Sequence, residues 1–163
     1  MKKHLIILLL LQMCYVGFAQ KQVILKGGTP IPVEAIKDIR ATEVDEGQIL
    51  DCFKVSRDVT VGGVIAIPAG TTVYGKVYEA RRSKAFGTRG RLGIRLNYLY
   101  LPNGEAVTFT SSEIAVKGAN RTALSVIIFI CTFVPLPCGG GAKLKAGTEY
   151  EVIVSANTEI TVK

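Results

Sequence analysis

Between Lys76 and Arg95 the chain carries seven basic side chains against a single acid, Glu79. Within that stretch Arg81, Arg82, Lys84, Arg89 and Arg91 are close enough in sequence to converge on a phosphate or carboxylate. A guanidinium grips such a group through paired donors, and an ammonium does so through a compact charge. Gly87 and Gly90 would let the chain bend there, so the segment reads as the end of a long basic hairpin. The same composition also suits a solvated hairpin that keeps a sheet edge from pairing with other chains, and both readings stay open.

A second segment stands out for the opposite reason. Residues 122–137, TALSVIIFICTFVPLP, form the most apolar stretch after the first nineteen residues, and Cys138 with three glycines follows. The run is shorter than the roughly twenty residues a spanning helix needs, and Pro135 and Pro137 would end a helix early. It is either a strand buried on both faces or an apolar insertion. In the second case Val126, Ile127, Ile128, Phe129, Ile130 and Phe133 would meet a membrane or another protein.

Other chemistry is sparse. The only histidine is His4, in the leader described below, which takes imidazole bases, Ser-His-Asp arrangements and the commonest metal ligand out of the working chain. No nucleophile elbow, P-loop or zinc-protease motif is present. Asp45, Glu46, Asp51 and Asp58 are acid–base candidates by type, but VDEGQ and SRDVT read better as turns. Cys52 has no base to activate it. Cys131 and Cys138 are the closest cysteine pair, able to form one short-loop disulfide or to remain free apolar side chains. The expectation is a protein that is not an enzyme, holds no metal or cofactor, and does not recognise nucleic acid specifically.

The elements that must position these residues follow from the rest of the pattern. Lys2, Lys3 and His4 precede an apolar run from Leu5 to Phe18, and Gly17 and Ala19 supply the small side chains a signal peptidase requires. Residues 1–19 therefore read as a secretory signal and 20–163 as one exported domain: periplasmic, outer-membrane-associated or secreted. The formal net charge of +7 falls by two when Lys2 and Lys3 leave, and the product stays basic. Such a charge favours anionic envelope polymers or lipid head groups.

After the leader no amphipathic helix of three turns is evident, and β-branched residues alternating with polar ones predict an all-β fold, a single antiparallel barrel or sandwich with an apolar insertion at 122–137. In RLGIRLNYLYL, strict alternation would put Leu92, Ile94, Leu96, Tyr98 and Tyr100 on one face, with Pro102-Asn103-Gly104 turning the chain into EAVTFTS. A short unit recurs as LKGGTPIPV, IPAGTTVYGKV and LKAGTEYEVIV. Each has a Gly-Thr step that predicts a tight turn feeding a strand, and similar strands, FKVSRDVTV and ITVK, lie beside the second and third units.

The order of IPAGTTVYGKV, RGRLGIRLNYLYL, LPNGE, KGANRTALSVIIFI and KAGTEYEVIV resembles the carboxy-terminal β-barrel domain of the conjugation and type IV secretion channel scaffold. The resemblance implies a barrel whose apolar insertion projects towards the outer membrane, although the insertion here is too brief for two spanning helices. Two functional expectations result. The first is an exported envelope domain with a structural or assembly role, meeting a membrane surface or an envelope protein through 122–137. The second is a soluble periplasmic or secreted module that captures an anionic polymer with its basic hairpin.

Overall fold

Alternating side chains leave this chain only one way to bury apolar surface, which is to build strands and close them. The computed structural model describes residues 21–84, 88–110, 112–119 and 139–162, and every regular element among them is a strand. The first seven are β1 (Lys21–Leu25), β2 (Pro30–Ala35), β3 (Ile39–Arg40), β4 (Ile49–Val55), β5 (Val59–Val61), β6 (Val64–Ile67) and β7 (Thr72–Arg81). They are followed by β8 (Arg91–Tyr100), β9 (Ala106–Thr110), β10 (Glu113–Lys117), β11 (Lys143–Leu144), β12 (Glu149–Val154) and β13 (Thr158–Val162).

Strands β8, β7, β4, β2, β12 and β9 neighbour one another in that order, and β9 pairs back onto β8, so six antiparallel strands close a barrel. Strand β10 adds an outer seventh along the first half of β8. The barrel-or-sandwich choice is thus settled as a barrel. Its interior holds Ile31, Val33, Phe53, Val73, Leu92, Ile94, Leu96 and Leu99, all essentially without solvent contact. The β1–β13 and β5–β6 ribbons pack together, and Leu25, Ile67 and Ile160 plug the end where β4 and β12 finish. The β3–β11 pair lies at the other end.

The predicted Gly-Thr turns prove to be one device used repeatedly. In each, a glycine in the left-handed region follows the bend: Gly28 at φ 89°, Gly70 at φ 83° and Gly147 at φ 75°. Only glycine adopts that backbone without strain. The threonine after it donates its hydroxyl back across the turn, Thr29 to the Lys26 carbonyl at 2.7 Å, Thr71 to Pro68 at 2.7 Å and Thr148 to Lys145 at 2.8 Å. The glycine amide then docks on the last carbonyl of a strand next door: Gly28 on Val154 at 2.9 Å, Gly70 on Val55 at 2.8 Å and Gly147 on Ala35 at 2.8 Å. Three residues beyond each carbonyl, an Asx side chain accepts the amide just before the glycine. Asn157 takes Gly27 at 2.8 Å, Asp58 takes Ala69 at 2.6 Å and Asp38 takes Ala146 at 2.9 Å.

A fourth turn uses the same docking with the side chain reversed. Gly47, at φ 89°, donates to the Val77 carbonyl at 2.8 Å, and here Glu46 reaches across to accept the Ala80 amide at 3.2 Å. Strands β2 and β12 thus clasp each other at both ends, as do β4 and β7. FKVSRDVTV matters because it carries the acceptors Val55 and Asp58, whereas ITVK follows Val154 and Asn157 and carries none.

Strand β8 does not keep one parity, and the expected facing of Tyr98 and Tyr100 is corrected. Tyr74 pairs with Tyr98 but Gly75 pairs with Leu96, so Asn97 is an extra residue at a bulge. From there Leu99 and Leu101 turn inward, while Tyr98 and Tyr100 stand outside. They gather with Tyr74 at ring-centroid distances of 5.3, 5.8 and 5.2 Å. A bulge inverts the alternation, and here it gives the core two leucines instead of two phenol hydroxyls that would each need a buried partner. The Leu101–Glu105 turn into β9 is as expected, with Gly104 at φ 87°.

Two measurements check these statements. Leu99→Ala should cost roughly 2–5 kcal/mol in urea unfolding, and Tyr100→Ala about 1 kcal/mol, reversing the ranking that side-chain size alone predicts. Asp58→Ala should cost about 1 kcal/mol, whereas Asp58→Asn should be nearly neutral, because Asn157 already performs the same task at a sister turn.

Candidate functional site

Strands β7 and β8 run ten residues each and stay paired as far as Arg81 and Arg91. Like charges placed directly opposite repel. Glu79 offsets this by presenting one carboxylate oxygen to both, 3.5 Å from Arg81 Nε and 3.6 Å from Arg91 Nη1. Past the pair, the Lys84 amide donates to the Thr88 carbonyl at 3.2 Å. The two strands and the chain beyond them enclose a cleft of about 760 Å³ lined by Arg81, Arg82, Lys84, Arg89, Arg91, Ala80, Thr88 and Asp45.

All five basic residues singled out in the sequence therefore line one cleft. Asp45, the lone acid there, is among the acid–base candidates by type that read better as turn residues; the Gly47 turn, docked on Val77, brings it to the rim. Beside the cleft a smaller hollow of about 220 Å³ shares Arg81 and Arg82 and adds Arg40 and Lys143. Sequence spacing gave no hint of these two, since β3 and β11 meet only through long-range pairing.

The charge is only partly compensated. Arg40 pairs with Glu43 at 3.4 Å and Lys143 with Asp38 at 2.6 Å. Arg82 donates through Nη2 to the neutral Thr42 carbonyl at 3.3 Å. All 13 acids of the chain lie among the described residues, and among those residues none forms an ion pair with Arg82, Lys84 or Arg89. Three cations that face a shared cleft and form no ion pair among the described residues are placed to take up an anion from outside.

The cleft also sits where four backbone segments cross. Gly90 donates to Gly140 at 3.1 Å, Gly118 to Gly90 at 3.0 Å, Gly140 to Ala119 at 3.0 Å and Gly139 to Lys84 at 3.4 Å. A Cβ on Gly90 would come within 2.9 Å of the Ala142 nitrogen, and one on Gly140 within 2.7 Å of the Ala119 nitrogen. Gly90 thus serves close approach of backbones, not the bend expected of it. Ala119 and Gly139, the described residues flanking 120–138, are held together beside Lys84. Val126, Ile127, Ile128, Phe129, Ile130 and Phe133, the Cys131 and Cys138 pair, and Gly87 lie outside the described residues.

The remaining candidates have structural duties. Asp58 and Glu46 each accept a turn amide, as described above. Cys52 is buried on β4, and burial pushes its thiol above the ordinary value, which keeps it protonated and a poor nucleophile.

Fold and site define a small antiparallel barrel with a plugged end and a cationic cleft at the other. No family model matches the chain, and no curated protein matches it. Among solved structures it is similar to ComB10 of the Com type IV secretion system of Helicobacter pylori, at TM-score 0.42 and 14% identity over 85% of this chain and 90% of that one. So distant a likeness assigns this chain neither a role nor a partner.

The Asp38–Lys143 pair beside the smaller hollow gives a pH signature. The Lys143 hydrogen bond and then the Ala146 amide hold the Asp38 carboxyl below its ordinary value of 3.8. A carboxyl lowered in the folded state adds stability above its unfolded value and loses that addition as pH falls through the folded value. Asp38→Asn keeps the acceptor for Ala146 but not the charge. Its deficit against the native chain should therefore be full at neutral pH and should fade in acid as the pH falls through the lowered value, read from urea midpoints across the pH series.

Proposed function

We propose that this protein is a non-enzymatic module of the cell envelope, exported by its first nineteen residues, that docks cleft-first onto an anionic membrane surface. The observation that carries this reading is the coincidence at one end of the barrel of two things. One is the set of uncompensated cations Arg82, Lys84 and Arg89; the other is the pinned pair Ala119 and Gly139, which bracket the span containing the apolar run 122–137.

Charge and apolar surface presented together suit a lipid interface, where head-group phosphates take the cations and the acyl boundary takes aliphatic side chains. Ile128 and its neighbours would supply the apolar part. The opposite end is plugged by the apolar side chains of Leu25, Ile67 and Ile160. The role is structural, since docking requires positioned charge and no bond-making group.

Vesicle co-sedimentation tests this. The protein should bind vesicles rich in anionic lipid and pass over zwitterionic ones, and binding should weaken as salt rises. Replacing Arg82, Lys84 and Arg89 by Ala should lower affinity roughly a hundredfold, from about 1 kcal/mol per basic residue near such a surface. Ile128→Lys should release the protein while leaving its thermal unfolding unchanged. Indifference to anionic vesicles, together with salt-sensitive retention on a soluble polyanion, would replace this reading with that of a soluble polymer-binding module.

A further inference from the structure

Strand β10 is the one member of the seven-stranded sheet that, among the described residues, has a single neighbour. Its hydrogen-bonding phase is known from its two ends. Leu96 donates to the Ser112 carbonyl at 2.9 Å and Gly118 to the Gly90 carbonyl at 3.0 Å, so the even-numbered residues of this strand turn their backbone groups to β8. Glu113, Ala115 and Lys117 turn theirs away, towards an edge that no described strand pairs. All three are exposed, and the small side chain of Ala115 leaves the middle of that edge clear.

A charged edge ordinarily deters pairing. The charges here are antisymmetric about Ala115. When a second copy approaches antiparallel with Ala115 opposite Ala115, each Glu113 falls opposite the Lys117 of the other chain. Glu113, Ala115 and Lys117 then all occupy hydrogen-bonded pair positions, so register, bonding phase and charge agree. A shift of two residues keeps the phase and loses both charge pairs.

The monomer leaves Lys117 in need of such a partner. Within one chain it lies directly across from Arg91, a like charge, and Arg91 shares its only carboxylate, Glu79, with Arg81. Glu113 is already matched to Arg95, with Arg95 Nε donating to Glu113 Oε1 at 3.1 Å, and its other oxygen is available. Half-buried Val116 would meet the buried Ile114 of the partner on the core side and lose its remaining solvent contact.

We infer that β10 is a self-recognition edge through which two copies of this chain join their sheets about a two-fold axis at Ala115. The inference is independent of the membrane reading, because it uses none of the cleft's uncompensated cations. A five-residue edge buries less than a standard interface, so the dimer should be weak and concentration-dependent.

Sedimentation velocity of the full chain decides it. The native protein should shift from monomer to dimer as concentration rises. Glu113→Lys and Lys117→Glu should each weaken self-association by about tenfold or more, since two-fold symmetry doubles every like-charge contact. An equimolar mixture of those two variants should dimerise, because one chain then carries lysine at both charged edge positions and the other carries glutamate at both.

Ala115→Pro removes an amide that points away from β8 and should abolish the dimer at unchanged melting temperature. If that variant fails to fold, the mixing experiment still discriminates. A chain that stays monomeric at all concentrations, with the Ala115 amide protected from hydrogen exchange, would show that the edge is covered from within the same chain. That result, or a dimer indifferent to all these changes, overturns the proposal.

Discussion

The docking of a left-handed glycine amide onto a carbonyl of a neighbouring strand, the last of that strand in three cases of four, holds the rest of this molecule in place. Short strands in a closed barrel gain little from any single ladder, and a slip of one residue would turn every side chain to the wrong face. Gly28 on Val154, Gly147 on Ala35, Gly70 on Val55 and Gly47 on Val77 fix where β2, β12, β7 and β4 begin relative to their partners. Once those starts are set, the inward positions are determined, and the core of Ile31, Val33, Phe53 and Val73 follows.

The reversed fourth clasp also shapes the site. The Gly47 turn anchors to β7 through the Val77 carbonyl and the Ala80 amide, and the next residue of that strand is Arg81, the first member of the cationic cluster. The overhanging end of the hairpin is thereby tied to the barrel wall instead of waving in solvent. Arg81 and Arg91, held on paired strand ends, keep their spacing, and Arg82, Lys84 and Arg89 follow or precede them within three residues. Glu79, clamped between Arg81 and Arg91, relieves the worst of the repulsion and leaves Arg82, Lys84 and Arg89 uncompensated.

Polarity of the whole domain follows from the same construction. The ribbons β1–β13 and β5–β6 spend their apolar side chains closing one end. Glycines 90, 118, 139 and 140 let four backbone segments cross at the other, so Ala119 and Gly139, which flank residues 120–138, are held beside the basic cleft. One end is closed by apolar side chains and the other carries the cationic cleft, while the edge of β10 that no described strand pairs runs along the wall between them. The two proposed contacts, a surface at the cleft and a second copy at the wall, would use separate parts of the domain.

From residues alone, the all-β class, the turn-and-strand units, the Leu101–Glu105 hairpin and the membership of the basic cluster were all legible. These depend on local chemistry: glycine's freedom at positive φ, alternation with period two, and charge density along a short stretch. Tertiary structure alone decided that the sheet closes, that Asn97 bulges and sends Tyr98 and Tyr100 outward, and that Asp45, Arg40 and Lys143 join the neighbourhood of the cleft. It also decided that Asn157, Asp58 and Asp38 answer turns 130, 11 and 108 residues away in sequence. The physical reason is common to all of these. Each depends on which strand lies beside which, and strand neighbours are chosen by the packing of the whole barrel, a quantity no window of sequence contains.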